Sequence, residues 1–187
     1  MLWFTADTHF GHSKILEHGR AMFDTIEQHD EALIAKWNAV VGEKDDVYHL
    51  GDFAYRNKRP VTEYVGALKG HIHIIRGNHD DVLWKKYRNL FKSSEEGRYV
   101  RWENEMIWMC HYSCRVWRNW LRGAWHLFGH SHGGLKGLPG RTLDVGVDCH
   151  DFTPWSFEEL RVVLNAIPKP IPKGSDADAI YQEREEA

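Results

Sequence analysis

Leu2-Trp3-Phe4-Thr5-Ala6-Asp7-Thr8-His9 is a short apolar run that stops abruptly at a polar cluster. An apolar run of this length, closed by polar residues, reads as a buried strand running into a loop. The same grammar recurs. Asp46 to Leu50 ends at Gly51-Asp52, and His71 to Ile75 ends at Gly77-Asn78-His79-Asp80. Met106 to Cys110 ends at His111, and Ala124 to Phe128 ends at Gly129-His130-Ser131-His132. Tyr99 to Trp102 is expected to pair with Met106 to Cys110 as a hairpin, and Thr142 to Val147 reads as a last strand.

Helical patterns lie between these runs. From Asp24 to Val41, the residues Ile26, Leu33, Ile34, Trp37, Val40 and Val41 fall on one stripe, and Thr25-Ile26-Glu27-Gln28 fits a capping box at its start. Further helices are expected over Val61 to Leu68, Asp81 to Leu90, and Ser156 to about Ala166; the last opens with a capping box at Ser156-Phe157-Glu158-Glu159. Strands alternating with helices give an α/β layered fold. In such folds the residues at strand ends gather at one edge of the sheet. Five polar clusters at five strand ends therefore point to one site.

Composition narrows the function classes. The 187 residues suffice for one domain with a real core. Hydrophobic residues make up 42% and charged residues 27%, an ordinary balance for a soluble globular protein. The formal net charge of -3 argues against a duplex-DNA binder, which presents a basic surface. A small nucleotide stays compatible, since a metal site holds phosphate without a basic field. Thirteen histidines invite a search for metal clusters. Cys110, Cys114 and Cys149 form no disulfide framework and read as reduced thiols of a cytoplasmic protein. The first residues show no basic leader followed by a long apolar run, and no stretch approaches the ~20 apolar residues of a membrane span. Residues 1–167 are expected to form the domain. Residues 168–187, which hold three of the six prolines, are expected to be a loosely packed tail.

Taken in order, Asp7-Thr8-His9, Gly51-Asp52, Gly77-Asn78-His79-Asp80, His111 and Gly129-His130-Ser131-His132 resemble the signature of the calcineurin-like metallophosphoesterases. Thr5 to His12, Cys110-His111-Tyr112 and Asp144-Val145-Gly146-Val147-Asp148 resemble a small bacterial and phage subgroup of that superfamily. The resemblance implies a four-layer α-β-β-α sandwich of two mixed sheets flanked by helices. It implies two divalent transition-metal ions, manganese first, with iron, zinc or nickel as alternatives. Asp7, His9 and His132 would hold one ion; Asn78, His111 and His130 would hold the other; Asp52 would bridge them. A hydroxide between the ions would attack phosphorus, and His79 would assist as the catalytic residue that is not a ligand. Such chemistry suits these residue types, because paired cations lower the pKa of water and offset charge on phosphoryl oxygens.

One departure from the family pattern matters. Protein phosphatases of the superfamily carry a second aspartate shortly after the Gly-Asp block, paired with that histidine. This chain has Tyr55 there, which leaves Asp80 or Asp81 as possible partners of His79. The function expected is hydrolysis of phosphate esters, a phosphodiesterase on small or nucleotide-like substrates, with a phosphomonoesterase as alternative. A non-catalytic metal-binding scaffold on the same fold is the rival from another class. A nuclease would want a basic groove that the charge balance does not supply. No membrane or protein partner is expected. His12 and Arg115 are weaker candidates for contacting substrate; Arg20 and Arg76 read as solvated surface arginines, and His49, His71, His73 and His126 as structural. Trp108, Trp117, Trp120 and Trp125 read as core or edge packing before base stacking.

Overall fold

The computed structural model describes residues 1–56 and 58–170. The element order is β1 (Leu2–Thr5), α1 (Ile26–Val40), β2 (Asp46–His49), α2 (Val61–Ala67), β3 (His71–Ile75), α3 (Asp81–Lys86), β4 (Ser93–Glu95), β5 (Gly97–Trp102), β6 (Glu105–Cys110), β7 (Trp125–Phe128), β8 (Thr142–Asp144), β9 (Trp155–Ser156) and α4 (Phe157–Asn165). One sheet has the order β4-β3-β2-β1-β9 and the other β5-β6-β7-β8. Within the first, β1 to β4 run parallel and β9 pairs antiparallel to β1. In the second, β6, β7 and β8 run parallel and β5 closes a hairpin on β6. Both sheets are mixed and flanked by helices, as expected.

Period-two alternation sorts the core into two layers. Trp3, Val47, Ile72 and Ile74 face α1, α2 and α3. Leu33, Trp37 and Val41, four residues apart, bring the apolar stripe of α1 onto that face. From the same strands, Leu2, Phe4, Tyr48, Leu50 and Ile75 face the other way, onto Ile107, Met109, Trp125 and Leu127 of the second sheet. Helix α4 closes this inter-sheet layer with Phe157, Leu160 and Leu164. The outer face of the second sheet carries His126 and is covered by Trp117, whose ring centroid lies 5.1 Å from that imidazole. His126 accepts a hydrogen bond from Cys114 N at 2.9 Å, and Trp117 and Trp125 are buried. Packing, as expected, is what these tryptophans do.

Local signals set the helix ends. Thr25 caps α1 by accepting from Gln28 N at 3.2 Å, although the Gln28 side chain accepts from Asp24 N and so the box does not close on Thr25. At α4 the box is complete: Ser156 Oγ accepts from Glu159 N, and Ser156 N donates to Glu159 Oε2. The helix expected over Asp81 to Leu90 is shorter; α3 stops at Lys86 and a 3-10 turn covers Arg88–Leu90. The strand expected over Thr142 to Val147 likewise stops at Asp144, with a 3-10 turn at Val147–Cys149 after it, and it is not the last, since β9 follows. Of the expected tail, residues 171–187 lie outside the described residues. No helix among the described residues is long and apolar enough to cross a membrane.

Candidate metal centre

Parallel order brings the C-terminal ends of β1, β2 and β3 to one edge, and those of β6, β7 and β8 to the same edge from the second sheet. A bridge between Ala6 and Gly146 joins the two rims. Backbone bonds then lock loop to loop: Asp7 N donates to Gly51 O, His9 N to Asp52 O, and Gly129 N to His111 O, each within 3.0 Å. The polar clusters converge there into two groups. Asp7, His9 and His132 form one, and Asp52, His111 and His130 form the other, with potential ligand atoms inside each group within 4.8 Å of one another.

The Asp52 carboxylate faces both groups. Its Oδ2 lies 3.7 Å from His9 Nε2 and 3.6 Å from His111 Nε2. His111 Nδ1 donates to Leu50 O at 2.8 Å, which leaves Nε2 as a lone pair. That lone pair sits 2.9 Å from the carboxamide oxygen of Asn78. Two acceptors at this distance repel unless a cation or a proton lies between them. Burial foremost disfavours the proton, holding the His111 pKa below its ordinary value against the pull of Asp52. In the first group, Asp7 Oδ1 and His9 Nε2 are buried without any hydrogen-bond partner among the described residues. Such orphaned groups are costly in a native interior. Burial, then Asp52 and Asp144, raises the Asp7 pKa well above normal; burial, then Arg20 and His132, lowers that of His9. Carboxylates, imidazoles and a carboxamide with orphaned donor atoms fit divalent transition metals. Asp7, His9 and His132 would hold one ion, His111, Asn78 and His130 a second, and Asp52 faces both.

The backbone explains why the residues sit so close. Asp7, His9, Asp52, His130 and His132 all adopt positive φ, between 47° and 67°. The left-handed region is uncommon for residues with a side chain, and such conformations gather at functional sites. Paired left-handed turns at positions 7 and 9, and again at 130 and 132, send His130 to one group and His132 to the other. Positions 130 and 132 both lie past the end of β7 at Phe128, in the loop. At Gly129 the constraint is space: a Cβ would lie 2.7 Å from Asp7 Oδ2 and 2.5 Å from the Ala6 methyl.

Behind the first group lies a buried polar chain that the sequence reading missed. His132 Nδ1 donates to Asp148 Oδ2 at 2.6 Å, fixing the tautomer that leaves Nε2 free. Arg20 grips Asp148 with two nitrogens and donates to the backbone carbonyls of Asp7 and Thr8. Burial works against the charge on Asp148, yet the bonds from His132 and Arg20 hold its pKa well below the carboxylate range. Arg20 continues to His29, His29 to Asp30, and Asp30 accepts from Tyr64 Oη at 2.6 Å. Arg20 is thus fully buried, which corrects its reading as a solvated surface residue. Asp144 performs a related task, accepting from Ser131 Oγ, Gly133 N and Gly146 N.

His79 sits at the mouth, with Nε2 4.0 Å from Asp52 Oδ2. Neither suggested carboxylate partner reaches it. Asp80 turns inward and accepts from the backbone N–H groups of Asp52, Phe53 and Gly77, its pKa raised by burial to about 6. Asp81 pairs with Arg76 at 2.6 Å. Rings position His79 instead: Tyr55 at 4.4 Å and His12 at 5.6 Å between centroids. His12 also approaches His9, Nδ1 to Nδ1, at 3.4 Å, so it lies within the site. Arg115 is exposed and makes no hydrogen bond or ion pair among the described residues. A third cluster, Cys110, Cys114 and His126, is not poised for a metal, since both nitrogens of His126 are engaged, with Cys114 N and Trp108 O.

Similarity to known proteins agrees with this geometry. The chain is 30% identical to the uncharacterized protein MJ1445 of Methanocaldococcus jannaschii, over 92% of each chain. It is 35% identical to the Gene 66 protein of Mycobacterium phage D29, over 89% of this chain and 96% of that one. The crystal structure of AQ665, a protein of unknown function from Aquifex aeolicus, shares the fold at a TM-score of 0.71 and 20% identity, covering 87% of this chain and 98% of that one. The family model described as calcineurin-like phosphoesterase matches residues 1–145, the span that supplies every strand-end cluster above, and the chain belongs to that family.

Proposed function

We propose that this protein hydrolyses phosphate esters with two divalent transition-metal ions, manganese first, and that small or nucleotide-like phosphodiesters are its substrates. The observation that carries the reading is the position of Asp52 Oδ2, 3.6 to 3.7 Å from an imidazole nitrogen of each ligand group, with His79 Nε2 at 4.0 Å. The ions, when bound, supply an activated water and offset charge on the phosphoryl oxygens. The chain does the rest. Asp52 and Asp7 keep two cationic sites close by charge. Arg20 and Asp148 hold His132 in one tautomer. His79, half-buried with its Nε2 4.0 Å from Asp52 Oδ2, is placed to give a proton to the departing oxygen. The Tyr55 position, without the aspartate of the protein phosphatases, favours a substrate other than a phosphoprotein.

Purified, Mn²⁺-loaded protein should cleave bis-p-nitrophenyl phosphate faster than p-nitrophenyl phosphate. The reverse order would make it a phosphomonoesterase, and silence on both with metal bound would favour a scaffold. His79→Ala should keep its metal content and lower turnover by roughly 10²- to 10⁴-fold. Full turnover in that variant would remove His79 from the chemistry.

A further inference from the structure

A cleft of about 550 Å³ opens beside His79, between the segment that follows β2 and the face of α3. It falls within the size range of small-molecule sites. Its floor is apolar: Val61, Leu83, the ring of Tyr87, and Val82, which is 61% exposed. Its lip is cationic, formed by Arg56 and Lys58. Both are exposed, and among the described residues neither meets a carboxylate within 4.0 Å. The Arg56 guanidinium lies over the Tyr55 ring, 5.1 Å from its centroid, and Tyr55 in turn adjoins His79. Arg56 has a positive φ of 50°, which sets this cation against Tyr55 on a constrained backbone.

An apolar floor asks for a flat hydrophobic group, and unpaired cations on the lip ask for an anion. A nucleoside bearing a phosphate carries both. We infer that this cleft binds the leaving half of a phosphodiester substrate, and that this half is a nucleotide whose own phosphate meets Arg56 and Lys58. The inference rests on the phosphoesterase reading, because His79 marks the side from which the leaving oxygen departs. In the reaction, water adds its oxygen to phosphorus and releases one proton to solvent, from which His79 is later reprotonated, while the P–O bond to the leaving nucleotide breaks. The bonding pair goes with the leaving oxygen, which takes a proton from His79. The nucleotide then rests in the cleft as an alcohol, with its remaining phosphate on the lip.

The test uses the Mn²⁺-loaded full chain and thymidine dinucleotides with a phosphate at the 5′ end, at the 3′ end or at neither. The protein should cleave one phosphorylated form with kcat/KM about tenfold or more above the unphosphorylated form, the worth of one charge-assisted contact. Arg56→Gln with Lys58→Gln should erase that preference, bringing kcat/KM on the phosphorylated dinucleotide down to that on the unphosphorylated one. Equal rates on all three dinucleotides would overturn the inference, as would an equal loss on every substrate in the double variant. If no ester is cleaved, the phosphoesterase reading fails by itself, and calorimetry with thymidine 3′,5′-bisphosphate still decides the cleft. Binding that disappears in the double variant would uphold it, and no binding to the parent protein would overturn it.

Discussion

Asp52 faces both ligand groups, but the two are built differently. Asp7, His9 and His132 stand against a buried wall. His132 leans on Asp148, Asp148 on Arg20, and Arg20 reaches through His29 and Asp30 to Tyr64, deep under α1 and α2. Among the described residues, His111 and His130 have no such backing. His111 leans on one backbone carbonyl, and His130 is exposed beside the ring of Tyr112, itself half-exposed at the surface. A wall of buried hydrogen bonds fixes ligands before the ion arrives. An open rim leaves them to be ordered by it. The first group should therefore bind its ion tightly and the second should exchange it.

The largest effect should come from the residue that faces both groups. Asp52→Asn should remove at least one ion and abolish turnover, read by elemental analysis and by the diester assay; two ions retained would deny that Asp52 serves both groups. Asp148→Asn sharpens the contrast. It should weaken the first ion by about 10- to 100-fold, the usual consequence of losing the group that orients a ligating imidazole. The second ion should be little changed. Mn²⁺ titration followed by calorimetry reads both, and an equal loss at the two sites would break the comparison.

The smallest effect concerns protons. His49 and His126 are buried and neutral, their pKa values lowered by burial to about 3 and about 4. Their folded values lie below the unfolded one. Stability from this source is full above pH ~6.5 and declines as pH falls towards those values. Metal-free protein unfolded with urea at steps between pH 7 and pH 4 should show that decline. His49→Gln keeps a donor to Thr8 and should flatten it; an unchanged slope would assign the acid sensitivity elsewhere.

The contrast also explains what the sequence could tell. Asp7, His9, His130 and His132 were legible because each lies at the end of a strong apolar run. Their motifs are local, and the fold merely brings them together. Asp148 left a trace in the Asp144 to Asp148 run, where two carboxylates flank a glycine. Arg20 left none: its partner lies 128 residues away, and its surroundings carry no period. The same limit hid β4 and β9. Ser93–Glu95 and Trp155–Ser156 are two or three residues long, with no alternation to read, and the neighbouring strand makes them strands. Tyr55 and His12 beside His79 are ring contacts across a loop, which sequence spacing does not encode.

The left-handed backbone at positions 7, 9, 52, 130 and 132 bears on how this protein can evolve. Backbone conformation alone would favour glycine there, since it enters that region at the lowest cost. Aspartate and histidine stand at those positions although glycine would enter that region at lower cost, and glycine there would relax the loops. A descendant released from its chemistry should thus drift first at these five sites, gaining thermal resistance as it loses its ions. The most heat-stable relatives of this fold should then be sought among those whose strand-end loops have become glycine-rich.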